Sequence, residues 1–359
     1  MKTISDFKVE KKRVLVRCDF NVPLDDQGNI LDDFKIRQTV PTIKYLLKKK
    51  AKIVLMSHLG EPDGKVIPIL KMDKVQERLI EILELSEHID VSVTKTPDCI
   101  GYQIGKYIFG LEPNEILLLE NLRFHTEETD NNPDFAKSLS SLADIYINDA
   151  FAVCHRSHAS VVGVPQYLPS GIGLLLQKEL ESLNKVLKNP KRPLVVLIGG
   201  KKVETKSKVI DRILKVADFV LVSGLIKKEI EEKQMVFKYP EKIIGPVDGI
   251  LFEGKELDIG PKSIKLFKGK IKKAKTIFWN GPFGMTEKEE FQKGTLAIAK
   301  AIAGKWFCFS VIGGGETVEF VNKMGLIKKF DHISTGGGAM LQFLSGEELP
   351  GLEVLRSKT

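Results

Sequence analysis

Two sets of residues have the types and spacing for anion chemistry. In the second half of the chain, glycines follow apolar runs again and again. Gly199–Gly200 ends LVVLI, Gly281 and Gly284 follow TIFWN, Gly313–Gly315 follow Trp306–Ile312, and Gly336–Gly338 follow DHIST. A strand that breaks into glycine and reopens as a helix offers bare N–H groups and a positive helix end to an anion. Lysines accompany these exits: Lys201 and Lys202 follow Gly200, with Lys206 beyond. Lys202 and Lys206 are four apart and project from one face of a helix, either toward a phosphate or as a solvated pair. GxxxxGK[ST] is absent, so this is not a Walker-type loop. Glu316 follows the triple glycine. A carboxylate there opposes a phosphate unless a divalent ion such as Mg²⁺ bridges them; the alternative is a first-turn acid matched to the helix dipole.

The first half offers cations instead. Arg17, His58, Arg123 and the group His155-Arg156-Ser157-His158 fall at successive strand ends, where a parallel sheet forms one crevice. Such a crevice fits a small anionic substrate, although His58 and His155 read equally well as core histidines. No acidic or cysteine partner stands at metal-ligand spacing from them.

The elements that position these groups alternate. Strands are expected at Lys12–Asp19, Ala51–Met56, Val91–Thr94, Glu115–Leu119 and Ile145–Asn148, with helices at Asp32–Lys50 and Met72–Leu85. The amphipathic run Gly173–Lys188, stopped by Asn189-Pro190, reads as a helix joining two domains. The second alternation has strands at Leu194–Ile198, Phe219–Val222, Thr276–Asn280, Trp306–Ile312 and His332–Thr335, and helices at Val203–Ala217 and Glu287–Ala303. Between Lys233 and Lys275 the pattern yields only short strands near Ile243–Ile244 and Ile264–Leu266. The fold class is α/β, with two Rossmann-like domains on parallel sheets. The expected division is 1–170 for the anion-binding domain, 171–190 for the interdomain helix and 191–344 for the glycine-lysine domain.

The 359 residues fit about two domains, and 43% hydrophobic residues supply two cores. A net charge of +8 suits polyanionic small substrates. No Lys/Arg block with interleaved aromatics points to nucleic acid. Four cysteines without CxxC spacing, a polar N-terminus and no membrane-length apolar run read as a cytoplasmic protein with reduced thiols. Two lobes of this kind describe a two-substrate phosphotransferase better than a binding module.

The motifs LVRCDFNVPLDD, IKYLLKKKAKIVLMSHLG, LLLENLRFHTEE, YINDAFAVCHRSHAS, GGKKV, FWNGPFG, VIGGGET and HISTGGGA resemble the phosphoglycerate kinase signatures, in that family's order and over nearly the whole chain. The resemblance implies reversible phosphoryl transfer between 1,3-bisphosphoglycerate with MgADP and 3-phosphoglycerate with MgATP. It also implies domain closure, a tail (345–359) returning to the N-terminal domain, and a monomer with no nucleic-acid or membrane partner. Carried over motif by motif, Arg17, Asp19, Phe20 and Asn21 would meet phosphoglycerate. So would His58, Leu59, Gly60 and Glu61 of the SHLG stretch, together with Arg123, His155 and Arg156. Lys35 stands at the catalytic position. Gly200, Lys202 and Lys206 would hold nucleotide phosphates, the two lysines also acting on the moving phosphoryl group as catalytic residues, and Glu287 the ribose. Gly314, Gly315, Glu316 and Thr317 would contact nucleotide and Mg²⁺, and Gly336, Gly337 and Gly338 the moving group, with Gly314 and Gly337 nearest the chemistry.

Several positions depart from the pattern. Lys35 and Glu61 stand where the family has arginine, Glu316 where it usually has Asp, and Val222-Ser223-Gly224-Leu225 replaces a glycine-rich nucleotide loop. The chain is also somewhat short. Two readings follow: an active kinase, or a weakened relative kept for ligand binding or as a scaffold. A basic nucleic-acid binder is a third and weaker one.

Overall fold

The computed structural model describes residues 1–200 and 204–356. The chain divides into two units, Met1–Lys178 with Glu348–Thr359, and Glu179–Glu347.

In chain order, the first unit holds β1 (Arg13–Arg17), α1 (Phe34–Lys48), β2 (Lys52–Met56), α2 (Asp73–Glu81), β3 (Val93–Lys95), α3 (Tyr102–Gly110), β4 (Ile116–Leu118), α4 (Thr126–Thr129), α5 (Pro133–Ser140), β5 (Ile145–Asn148) and β6 (Ser170–Ile172). The strands form one sheet in the order β3-β4-β2-β1-β5-β6, parallel throughout. Strand order reverses beside β1, so the C-terminal ends of β1, β2 and β5 open onto one crevice. Helix α1 buries Ile36, Val40, Ile43 and Leu46, three and four apart, against the core under this sheet. It starts at Phe34 rather than Asp32, because the Asp32 carboxylate accepts the Phe34 amide at 2.6 Å.

Helix α6 (Leu174–Leu187) contains the division between the units. Its first turn is held inside the first unit: buried Asp149 accepts the Leu175 and Leu176 amides at 2.9 and 3.2 Å. Burial raises the Asp149 carboxyl to about 6.

The second unit continues with β7 (Leu194–Ile198), α7 (Glu204–Leu214), β8 (Phe219–Val222), α8 (Gly224–Glu232), β9 (Ile243–Ile244), the antiparallel hairpin β10 (Gly249–Phe252) and β11 (Lys255–Ile259), α9 (Pro261–Lys273), β12 (Thr276–Asn280), α10 (Lys293–Ala303), β13 (Phe309–Gly313), α11 (Gly315–Lys323), β14 (His332–Ile333) and α12 (Gly337–Ser345). Its parallel sheet runs β14-β13-β12-β7-β8-β9. Helix α13 (Pro350–Arg356) belongs to the first unit, where Leu352 and Leu355 are buried.

Three expectations are corrected. Trp306 and Phe307 are about nine-tenths exposed, so the strand expected from Trp306 begins at Phe309. Ile264–Leu266 lie in α9, whose lysine-rich outer face hid the buried stripe Ser263, Phe267 and Ile271. The hairpin β10–β11 was not foreseen, because Leu251 and Phe252 are exposed and break the alternation that marks a strand.

Candidate active site

Each unit carries its own site. In the first, three strand ends converge. Arg17 ends β1 and is wholly buried. Its guanidinium donates to Ser160 Oγ at 2.8 Å and to the Cys18 carbonyl, and lies 3.2 Å from His58 Nδ1. Buried Glu128, 4.0 Å away, accepts the Ser160 amide and hydroxyl at 2.9 and 2.5 Å. Arg17 therefore underlies the patch, with its donors used inside the protein. Asp19 sits 2.8 Å from the Lys35 ammonium and accepts the Asn21 amide at 3.2 Å. Asn21 in turn accepts the Gly60 amide at 2.9 Å, and Ser57 Oγ the Phe20 amide at 2.8 Å. Asn121 holds Leu59 at both its amide and its carbonyl, at 3.2 and 2.7 Å. Gly60 has φ +67°, which frees its carbonyl to accept from Arg123 at 2.9 Å.

Arg123 is the buried cation nearest to availability. One nitrogen pairs with exposed Glu61 at 2.5 Å, while Nε is buried without a partner among the described residues. Such an orphaned charged donor is costly unless a ligand completes it. Arg156 is exposed, and His155 is half-buried, its Nδ1 without a partner among the described residues. Burial first, then the charges of Arg17, Arg123 and Lys35, hold His58 well below the usual imidazole range. Burial and Arg123, Arg17 and Arg156 push His158 down to about 4. These histidines are neutral at pH 7, so the positive field comes from arginine and lysine. Arg37, two residues after Lys35, donates to Asp33 at 2.9 Å.

The second site is built from backbone. At Gly199 an added Cβ would lie 2.1 Å from the Pro282 carbonyl, and at Gly281 2.2 Å from the Gly199 carbonyl, so the ends of β7 and β12 meet only as glycine. Thr317 Oγ1 accepts the Gly281 amide at 2.9 Å, and the Asn280 side chain donates to the Gly313 carbonyl at 3.1 Å. Gly314 (φ +91°) opens α11, and Gly337, whose added Cβ would be 3.4 Å from Gly314 Cα, opens α12. Two helix N-termini thus start side by side. Gly336 and Gly338 flank the second, and its approach is fixed by Glu179, which accepts from the Thr335 amide at 2.6 Å and contacts His332 Nε2 at 2.7 Å. Lys206 is buried and donates to the Gly199 carbonyl. Burial lowers its ammonium from the usual range, while Glu316 and Glu229 oppose that shift. Lys202 lies outside the described residues. Glu316 and Gly315 are exposed at the mouth. A cleft is lined by Gly200, Glu316, Ser223–Leu225, Glu256–Asp258, Pro282–Met285 and Glu287.

The sequence reading missed Glu128, Ser160, Asn121, Glu179, Asn280, Glu256 and Asp258. Each acts through a contact distant in sequence; Asn121, Glu128, Ser160 and Asn280 fall inside the motif stretches, but nothing local marks what they hold. It also missed the grouping of Asp98, Cys99 and His125, whose ligand-type atoms lie within 4.8 Å; there His125 Nε2 is 2.7 Å from Asp98 Oδ1.

The model of the family described as phosphoglycerate kinase matches residues 4–237 and 228–347. The chain belongs to the phosphoglycerate kinase family. Curated relatives of that name include one from Acidobacterium capsulatum, 44% identical over 400 residues, and one from Koribacter versatilis, 42% identical over 399, each covering 99% of both chains. Alignments of that length against 359 residues contain positions that this chain lacks, and the family model meets it in two pieces that join between 228 and 237. Among solved structures, phosphoglycerate kinase from Pyrococcus horikoshii matches with TM-score 0.85 at 32% identity, over 100% of this chain and 99% of that one. The Coxiella burnetii protein matches with 0.83 at 31%, over 99% of each. The expected family, fold and kinase class are thereby met, and nothing found supports the weakened relative.

Proposed function

We propose that the first-unit site binds 3-phosphoglycerate or 1,3-bisphosphoglycerate and the second-unit site binds the nucleotide, for reversible phosphoryl transfer. The observation that carries this is the pairing, within one chain, of a buried arginine with an unsatisfied Nε and a cradle of two adjacent helix N-termini beside a buried lysine. Arg123 and exposed Arg156 supply donors for a phosphate and carboxylate; Lys35, His58 and Asn21 orient the remainder, over Arg17. In the cradle, Lys206 and the amides of Gly314, Gly315, Gly337 and Gly338 face the charge that develops on the transferring group. Phosphoryl transfer is mostly positioning and electrostatics, which these groups provide.

Glu316 offers hard oxygen chemistry beside the phosphates and fits Mg²⁺, which would neutralise phosphate charge there. Thr317 keeps Glu316's turn in place through Gly281. Reaction needs reacting atoms about 3–3.5 Å apart, so the two units close on one another during turnover, with α6 as hinge. This reading takes the protein as a cytoplasmic monomer; no described helix is long and apolar enough to cross a membrane.

A coupled assay of purified protein with MgATP and 3-phosphoglycerate tests the assignment; no turnover would overturn it. Small-angle scattering with both substrates is expected to show a smaller radius of gyration than the free protein, and an unchanged radius would count against closure.

A further inference from the structure

The cleft of the second unit contains a carboxylate that the phosphate chemistry does not use. Glu256 lies on β11, where the hairpin register slips: Ile250 faces Asp258 and Leu251 faces Glu256, leaving Leu257 as the extra residue. Regular strand alternation would put neighbouring residues on opposite faces. The bulge re-aims them, and Glu256, Leu257 and Asp258 all line the cleft. Asp258 is committed, accepting the Gly294 amide at 2.7 Å and the Ile259 amide at 2.8 Å. Glu256 is not. Its carboxyl packs against Gly224 and Gly249, each of which would clash as alanine, and its buried Oε1 has no partner among the described residues.

The cleft lining combines Gly200 and Glu316, with Lys206 Nζ beside Gly200, and the apolar side chains of Leu225, Leu257, Phe283 and Met285. With phosphates on the glycines and Lys206, the apolar part of the lining takes the base. A buried acceptor without a donor leaves a desolvation cost that a ligand donor removes. The Watson–Crick edge of guanine carries two adjacent donors, N1–H and the 2-amino group, which match the two oxygens of an ionised carboxylate. Adenine carries one amino group beside an acceptor, N1, which faces a carboxylate oxygen unfavourably.

We infer that Glu256 selects the nucleobase, accepting hydrogen bonds from it and favouring guanine over adenine nucleotides. The inference rests on the second-unit cleft being the nucleotide site. Gly224 and Gly249 make room for the carboxyl, so the selecting group is set by the hairpin and by the start of α8.

The test is the ratio of kcat/KM for MgGTP and MgATP at pH 8 in the wild type, Glu256→Gln and Glu256→Ala. The wild type is expected to use GTP at least as well as ATP, with ITP, which lacks the 2-amino group, in between. A glutamine amide can donate to adenine N1 and accept from its amino group. Glu256→Gln should therefore shift the ratio toward ATP by roughly tenfold or more, the scale on which a site built for a hydrogen-bonding group rejects its analogue. Because both nucleotides are read on one preparation, partial misfolding leaves the ratio intact. A ratio that moves by less than about threefold in both variants overturns the selection. If Lys206→Ala leaves the use of both nucleotides unchanged, the cleft is not the nucleotide site and both readings fall; if Lys206→Ala abolishes both while the Glu256 ratio stays fixed, only the selection falls.

Discussion

The two proposed sites would hold anions by opposite means. The first-unit site is made of side-chain charge, and most of that charge is held by the protein itself: Arg17 by Ser160 and Cys18, Lys35 by Asp19, and Arg123 partly by Glu61. The second-unit site is made of backbone, with one buried lysine, and its glycines are required by close approach at Gly199 and Gly281. A side-chain site can be retuned by exchanging partners, whereas this backbone site admits no added atom at Gly199, Gly281, Gly313 or Gly314. The contrast teaches where substitution is permitted. The departures Lys35 and Glu61 fall on side chains of the first site, where they pair with Asp19 and Arg123.

The sharpest break of this comparison is Lys206→Ala, which removes the buried charge from the backbone cradle. It is expected to lower kcat by at least about a hundredfold. A loss under about threefold at saturating substrates would put this lysine away from the chemistry.

Neighbouring glycines give the next largest effect. Gly314→Ala forces a Cβ into positive φ, 2.7 Å from the Asn280 amide nitrogen, and is expected to destabilise the second unit by about 1–3 kcal/mol. Gly315→Ala meets nothing within 4 Å, so it should keep the melting temperature while raising the nucleotide KM. Equal stability losses in both would show that the cradle is not strained at Gly314.

On the first site, Lys35→Arg with Glu61→Arg replaces two self-paired positions by arginine forks that hold phosphoryl oxygens bidentately. The pair should lower the KM for 3-phosphoglycerate several-fold, because Glu61 no longer occupies Arg123. An unchanged KM would mean that the substrate displaces Glu61 without cost.

The smallest effect separates the sites by pH. His158 has its folded pKa depressed to about 4 from 6.5, so its contribution to stability is present above pH 6.5 and is lost as pH falls through 4. Thermal unfolding of the wild type should therefore lose more stability between pH 7 and 4.5 than that of His158→Gln, by roughly 2–4 °C. Identical pH profiles would show that His158 does not carry this linkage.

How much was legible beforehand follows the same division. Glycines announce themselves in sequence, because only a required backbone conformation or approach places them after four apolar runs. Arg123, His58 and Lys206 were legible because they stand at strand ends, where an alternating βα chain must bring them to one edge of a sheet. The strand run from Trp306 misled because composition cannot tell a buried aromatic from one on the surface, and α9 was hidden by its lysines. The sequence by itself determined the two parallel sheets, the glycine exits and the identity of the cations, since periodicity and residue type are local properties. Only the tertiary structure decided which cations are spent and which remain open. Whether Arg17 is locked by Ser160, Arg123 left with a bare Nε, or Glu256 turned into the cleft by a bulge depends on partners tens to more than a hundred residues away or on strand register, and no local pattern encodes either.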